Sequence, residues 1–97
     1  MQGETKIITP EEYQAILKAA HFITELIKLK GDYNVFIGDQ YNYLVQECDK
    51  EKIICIFYIK PGTTRLVIVE YWRLKGTSKI TTATRYTEGK TEVFHYK

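Results

Sequence analysis

Two histidines and two cysteines are the side chains best able to do chemistry in this chain, at His21, His95, Cys48 and Cys55. Acid–base catalysis requires a histidine within hydrogen-bond reach of a substrate group, with its pKa moved towards the working pH. Neither histidine sits in a patterned setting: there is no HExxH, no Gly-rich phosphate loop and no nucleophile elbow. The cysteines are seven positions apart, with no CxxC and no histidine at ligand spacing. If 41–47 and 52–59 form a hairpin turning at Asp49-Lys50, Cys55 falls opposite a residue near Val45. Cys48 then lies beside the turn, beyond disulfide reach. Cys55, inside an apolar run, reads as a small buried hydrophobe. Asp32, Asp39 and Asp49 would form a weak divalent-cation site only if their loops met at one end of a sheet. The sequence therefore points to no catalytic residue, no metal ligand and no cofactor. A small hydrolase or nuclease built around His21 or His95 is the remote reading.

Charge carries a second kind of chemistry. Residues 1–59 hold 6 Lys and Arg against 9 Asp and Glu, a balance of −3, while residues 60–97 hold 8 against 3, a balance of +5. The basic half is also aromatic. Along 64–74, period-two alternation puts Arg65, Tyr71 and Arg73 on one face with Val67 and Val69. Leu66, Ile68, Trp72 and Leu74 fall on the other with Glu70. Along 77–87, Lys79 and Arg85 share a face with Thr81 and Ala83. Cations interleaved with aromatics can follow phosphates and stack bases. Arg65, Tyr71, Arg73, Lys79 and Arg85 are therefore the candidate surface for single-stranded nucleic acid. The plainer reading is a solvated face whose charges protect a sheet from edge association. A balance of +5 is modest for a dedicated nucleic-acid binder.

These residues need elements to hold them. Thr9 as N-cap, Pro10 at the first helical position and Glu11 and Glu12 in the first turn mark a helix start, with Glu12 completing a capping box. Ile16, Ala19, Ala20, Ile23, Leu26 and Ile27 recur at helical spacing, with Gln14, Lys18, His21 and Glu25 opposite. Lys28 and Lys30 suit the last turn and Gly31 a left-handed end, which predicts a helix over about 10–30. Tyr33–Ile37, Tyr41–Glu47, Lys52–Ile59, Thr64–Leu74, Thr77–Thr87 and Lys90–Tyr96 are rich in Val, Ile, Thr, Tyr and Phe. Gly38-Asp39, Asp49-Lys50, Pro61-Gly62, Lys75-Gly76 and Glu88-Gly89 separate them, and connections so short make neighbouring strands antiparallel. The expected class is α+β: one domain over 1–97, with one N-terminal amphipathic helix packed on a curved antiparallel β-meander, over about 33–96, of about five or six strands.

Ninety-seven residues suffice for one core, and 44% hydrophobic with 27% charged residues is ordinary for a globular domain. The longest apolar run, Ile53–Ile59, falls well short of the about 20 residues of a membrane span. Met1–Lys6 carries no apolar segment of signal type behind it. The expected location is the cytoplasm of the producing or host cell, with no membrane partner. Ser78 is the only serine and Asn34 and Asn42 the only asparagines, beside many Lys and Glu, which leans towards a hot habitat. An AT-rich genome yields part of the same bias. In general composition the chain is similar to small proteins of viruses and plasmids of hyperthermophilic archaea, although no motif carries that likeness.

The run 53–59 bears most directly on function. A strand apolar at every position is buried on both faces, and one helix covers only one. Either the sheet rolls up and closes its own core, or a second copy covers it. Eight tyrosines and several arginines are the side chains that interfaces favour. The expected function is a small non-enzymatic binding protein, homodimeric through its sheet face. Its partner is itself, another protein or, as the alternative, a nucleic acid.

Overall fold

A computed structural model describes residues 8–76 and 79–96. Among these described residues are one helix, α1 (Pro10–Leu26), and six strands: β1 (Asn34–Ile37), β2 (Asn42–Cys48), β3 (Glu51–Ile59), β4 (Leu66–Lys75), β5 (Thr82–Thr87) and β6 (Lys90–His95). The strands form one unclosed antiparallel sheet in the order β1-β2-β3-β4-β5-β6. The α+β class and the meander are as the sequence implies. Met1–Lys6, on which the leader reading rests, and the first two residues of the expected strand 77–87 lie outside the described residues. Within that span the strand starts at Thr82.

The start of α1 is fixed by its caps. Thr9 Oγ1 accepts from Glu12 N–H at 3.1 Å, and Glu12 Oε1 accepts from Thr9 N–H at 3.0 Å. This reciprocal box satisfies two N–H groups that a helix start otherwise leaves open. Its end differs from the expected 10–30. Leu29 N–H donates to Thr24 C=O at 2.8 Å and Lys28 N–H to Glu25 C=O at 3.3 Å, the two hydrogen bonds of a Schellman closure. Lys28, not Gly31, takes the left-handed position, at φ 54. The physical reason lies in the core: closing at Lys28 turns Leu29 back against the buried cluster, whereas three more residues of helix would carry it past.

Ile16, Ala19, Ala20 and Ile23 of α1 meet Leu44 of β2 and Cys55 and Phe57 of β3 in one buried cluster. The N-terminal half of α1 lies beside Ile59 and Leu66, and the segment following its C-terminus lies beside Gln46 and Ile53, so the helix runs along the strands. Register extends this face across the sheet. Cys55 pairs with Tyr71 and Tyr71 with Tyr86, so Tyr71, Arg73, Thr84 and Tyr86 lie on the α1 side.

A β-bulge in β4 overturns the face assignment expected for 64–74. Ile56 pairs with Glu70 but Phe57 with Ile68, leaving Val69 as the extra residue. An extra residue reverses the alternation beyond it. Leu66 and Ile68 therefore share the α1 side with Tyr71 and Arg73. Val67 faces the other way, with Glu70, Trp72 and Leu74.

Candidate interaction surface

On the side away from α1, register builds rows that cross the sheet. One runs Val45, Ile54, Trp72, Arg85, Glu92 from β2 to β6, and the next runs Lys52, Leu74, Ala83, Phe94 from β3 to β6. A third begins Phe36, Tyr43, Ile56, Glu70. Ile54, Ile56 and Tyr58 are half-buried here, while Ile53, Cys55 and Phe57 on the α1 side are buried. The run 53–59 thus buries one face against α1 and leaves its other face half-covered by neighbouring strands only.

The β4–β6 part of this open face is organised around Arg85. Its guanidinium carbon lies 5.5 Å from the Trp72 ring centre and 5.6 Å from that of Phe94, and the two rings stack at 6.0 Å. Such cation–π placement draws the charge on to the ring faces. Arg85 Nε donates to Glu92 Oε1 at 3.1 Å, with Nη2 on the same oxygen, and Lys90 approaches the other oxygen at 3.9 Å. The hydrogen bond from Arg85 is the main cause that holds the Glu92 carboxyl below its ordinary pKa, and the same bond raises that of Arg85. Around the paired charge, Val45, Ile54, Ile56, Leu74 and Phe94 supply an apolar field. Tyr43, Phe36 and Tyr96 lie exposed about it. Aromatic residues and arginine around an apolar centre with few free charges are what protein interfaces favour.

No protein-family model, curated protein or solved structure matches this chain.

The five residues expected to hold nucleic acid do not form one surface. Arg65 is exposed in the turn before β4, and Lys79 is exposed between β4 and β5. Tyr71 and Arg73 lie on the α1 side, and Arg85 lies on the other. Arg73 Nη2 donates to the Tyr71 hydroxyl at 2.8 Å and Nη1 lies 3.6 Å from Glu51, while the Tyr71 and Tyr86 ring centres are 4.9 Å apart. The tyrosine hydrogen bond first, then Glu51 and neighbouring rings, raise the Arg73 pKa against the opposing effect of burial. Arg73 Nε is buried without a hydrogen-bond partner. Glu51 and Glu92, which take up these two arginines, were not singled out by the sequence. Strand register sets Glu92 opposite Arg85, whereas Glu51 pairs with Lys75 and reaches Arg73 diagonally through packing.

The remaining candidates are scattered. His21 pairs with Glu25 one helical turn on, at 3.2 Å on the exposed side of α1, and His95 is exposed at the end of β6. Cys48 is exposed beside the β2–β3 turn and donates weakly to Glu51 C=O at 3.4 Å. Cys55 is buried opposite Leu44, and burial pushes its thiol up to about 12. Asp39 lies in the β1–β2 turn and Asp49 in the β2–β3 turn, at opposite ends of β2, so the three aspartates do not converge. Among the described residues no group of three or more His, Cys, Asp and Glu side chains gathers, and no helix is long and apolar enough to cross a membrane.

Proposed function

We propose that this chain is a non-enzymatic binding protein that pairs with a second copy of itself through the sheet face opposite α1. The observation that carries the reading is the half-covered apolar field of Val45, Ile54, Ile56, Leu74 and Phe94 around the Trp72–Arg85–Phe94 cluster. The sheet is unclosed, so its own strands leave that field half-covered. Six strands about 4.8 Å apart, rising about 3.3 Å per residue, offer a face of about 700 Å². A standard interface buries about 800 Å² on each partner. Two such faces pack about 10 Å apart as a sandwich, with Ile54 and Trp72 near the middle. Arg85 and Glu92 enter already paired, so that pair stays intact on association, while register also places the charges of Lys52 and Glu70 on this face.

Light scattering on the purified chain tests this. The expected mass is twice the 11.4 kDa of one chain. Ile54→Asp, on the open face, should give a folded monomer, because an unpaired carboxylate at an interface centre opposes association. A wild-type monomer at tens of micromolar concentration would remove the dimer. Binding to a single-stranded oligonucleotide that weakens steeply with salt would move the function to nucleic acid.

A further inference from the structure

The first half of β4 has a neighbour on one side only. β3 pairs with β4 from Leu66 to Lys75, but β5 pairs only with Tyr71–Lys75. Among the described residues, no strand lies along the outer edge of 66–70. The direction of the unused backbone groups follows from the β3–β4 turn. Lys60 N–H donates to Arg65 C=O at 2.9 Å, making 60 and 65 a hydrogen-bonded pair. Such pairs alternate with non-bonded ones in an antiparallel ladder. Pairs 59–66 and 57–68 are therefore of the second kind, and Leu66 and Ile68 turn their N–H and C=O groups away from β3.

This bare edge runs beside a groove. A cavity of about 570 Å³ lies between α1 and the start of β4, lined by Ala15, Lys18, Ala19, Phe22, Ile59 and Leu66, with Glu11, Gln14 and Thr64 at its margins. Phe22 is 55% exposed and Ile68 41% exposed on this side of the sheet. A strand edge with unsatisfied donors and acceptors, next to a helix that leaves an apolar trough, is the arrangement in which extended peptides add a strand to a sheet. Main-chain bonds then supply affinity, and alternate side chains drop into the trough.

We infer that the outer edge of Leu66–Glu70 and the trough beside α1 form a docking slot for an extended segment of a partner protein, apolar at alternate positions. The charges around the slot are polarised. Lys60 and Arg65 stand at the Leu66 end and outnumber Glu11 there, with Lys18 further along the helix flank, whereas Glu70 closes the β4 stretch and Glu88 occupies the β5–β6 turn beyond it. The fitting segment is acidic where it passes Leu66 and basic where it passes Glu70. A second copy does not fit. Pairing two such edges antiparallel would drive the 60–65 turn of each copy into β5 of the other, which already holds Tyr71–Lys75. The trough lies on the α1 side, away from the proposed dimer face, and of the β4 stretch's charges only Glu70 faces the dimer side.

The test is fluorescence anisotropy with a short labelled peptide alternating valine and threonine, with glutamates at one end and lysines at the other. The same peptide with serine in place of its charged residues is the comparison. The charged peptide should bind, and Arg65→Glu should weaken it severalfold while leaving the serine peptide unchanged. Ile68→Pro removes an outward N–H without touching the β3 ladder, and should weaken both peptides about tenfold with the circular dichroism preserved. Ile54→Asp, which tests the dimer, should leave peptide binding unchanged, so the two proposals fail separately. No binding of the charged peptide at millimolar concentration would overturn the slot. So would affinity indifferent to both Arg65→Glu and Ile68→Pro, or displacement of the peptide by a single-stranded oligonucleotide.

Discussion

Replacing Lys28 with glycine should stabilise this domain. Lys28 is the one non-glycine residue with positive φ among the described residues, at 54°, and it occupies the left-handed position that closes α1. An L-residue there places its Cβ against the following carbonyl, at a cost of about 1–2 kcal/mol. Glycine relieves that strain but loses about 0.5–1 kcal/mol through the greater freedom of the unfolded chain. Removing a cation from the C-terminal end of the helix loses about 0.3 kcal/mol more. The net expectation is a gain of about 0.5 kcal/mol, or about 2–4 °C in Tm for a domain of this size. Thermal unfolding followed by circular dichroism reads this directly. Two further variants separate the contributions. Lys28→Asn keeps a residue tolerant of the left-handed region while removing the charge, and should fall near wild type. Lys28→Ala keeps the strain and loses the charge, and should melt below it. If Lys28→Gly and Lys28→Ala melt alike, at or below wild type, α1 does not end at Lys28 and the Schellman closure is wrong.

Two further outcomes test the core and the thiols. Ile23 is fully buried between α1 and the sheet, so Ile23→Asp should lose about 4 kcal/mol or more and abolish the folded circular dichroism signal, while Lys18→Asp should change the melt by about 0.5 kcal/mol at most. Equal melts for the two would show that the helix faces are misassigned. At about pH 8 an aromatic disulfide reagent should modify Cys48 at once, whereas Cys55 should wait for unfolding. With its pKa near 12 by burial, Cys55 holds about three orders of magnitude less thiolate than an ordinary thiol there. A single fast phase for both thiols in the native protein would contradict the buried position of Cys55.

Local chemistry was enough to set the elements. Thr9, Pro10 and Glu12 specify a helix start through groups within one turn of one another, and the structure closes that capping box. The helical recurrence of Ile16, Ala19, Ala20 and Ile23 marks the stripe that enters the core. Turn dipeptides such as Asp49-Lys50 force neighbouring strands to be antiparallel, because so short a connection cannot cross over. These signals act over a few residues, so a linear reading captures them.

Position across the sheet was a different matter. The bulge at Val69 depends on how β4 fits against β3, and nothing in Leu66-Val67-Ile68-Val69 announces it. That one residue moved Leu66 and Ile68 to the α1 side and separated Val67 from Tyr71. Register likewise set Glu92 against Arg85, and packing brought Glu51 to Arg73, turning two cations of an apparent nucleic-acid surface into paired ones. The end of α1 was settled by Leu29 seeking the core rather than by Gly31. Where β5 begins decides that Leu66–Glu70 keeps a bare edge. The sequence by itself determined which stretches are helix and strand and which residues are apolar, because propensity, capping and periodicity are local. Tertiary structure alone decided which faces are covered, which charges meet and which edge stays open, because those follow from the register of residues far apart in the chain.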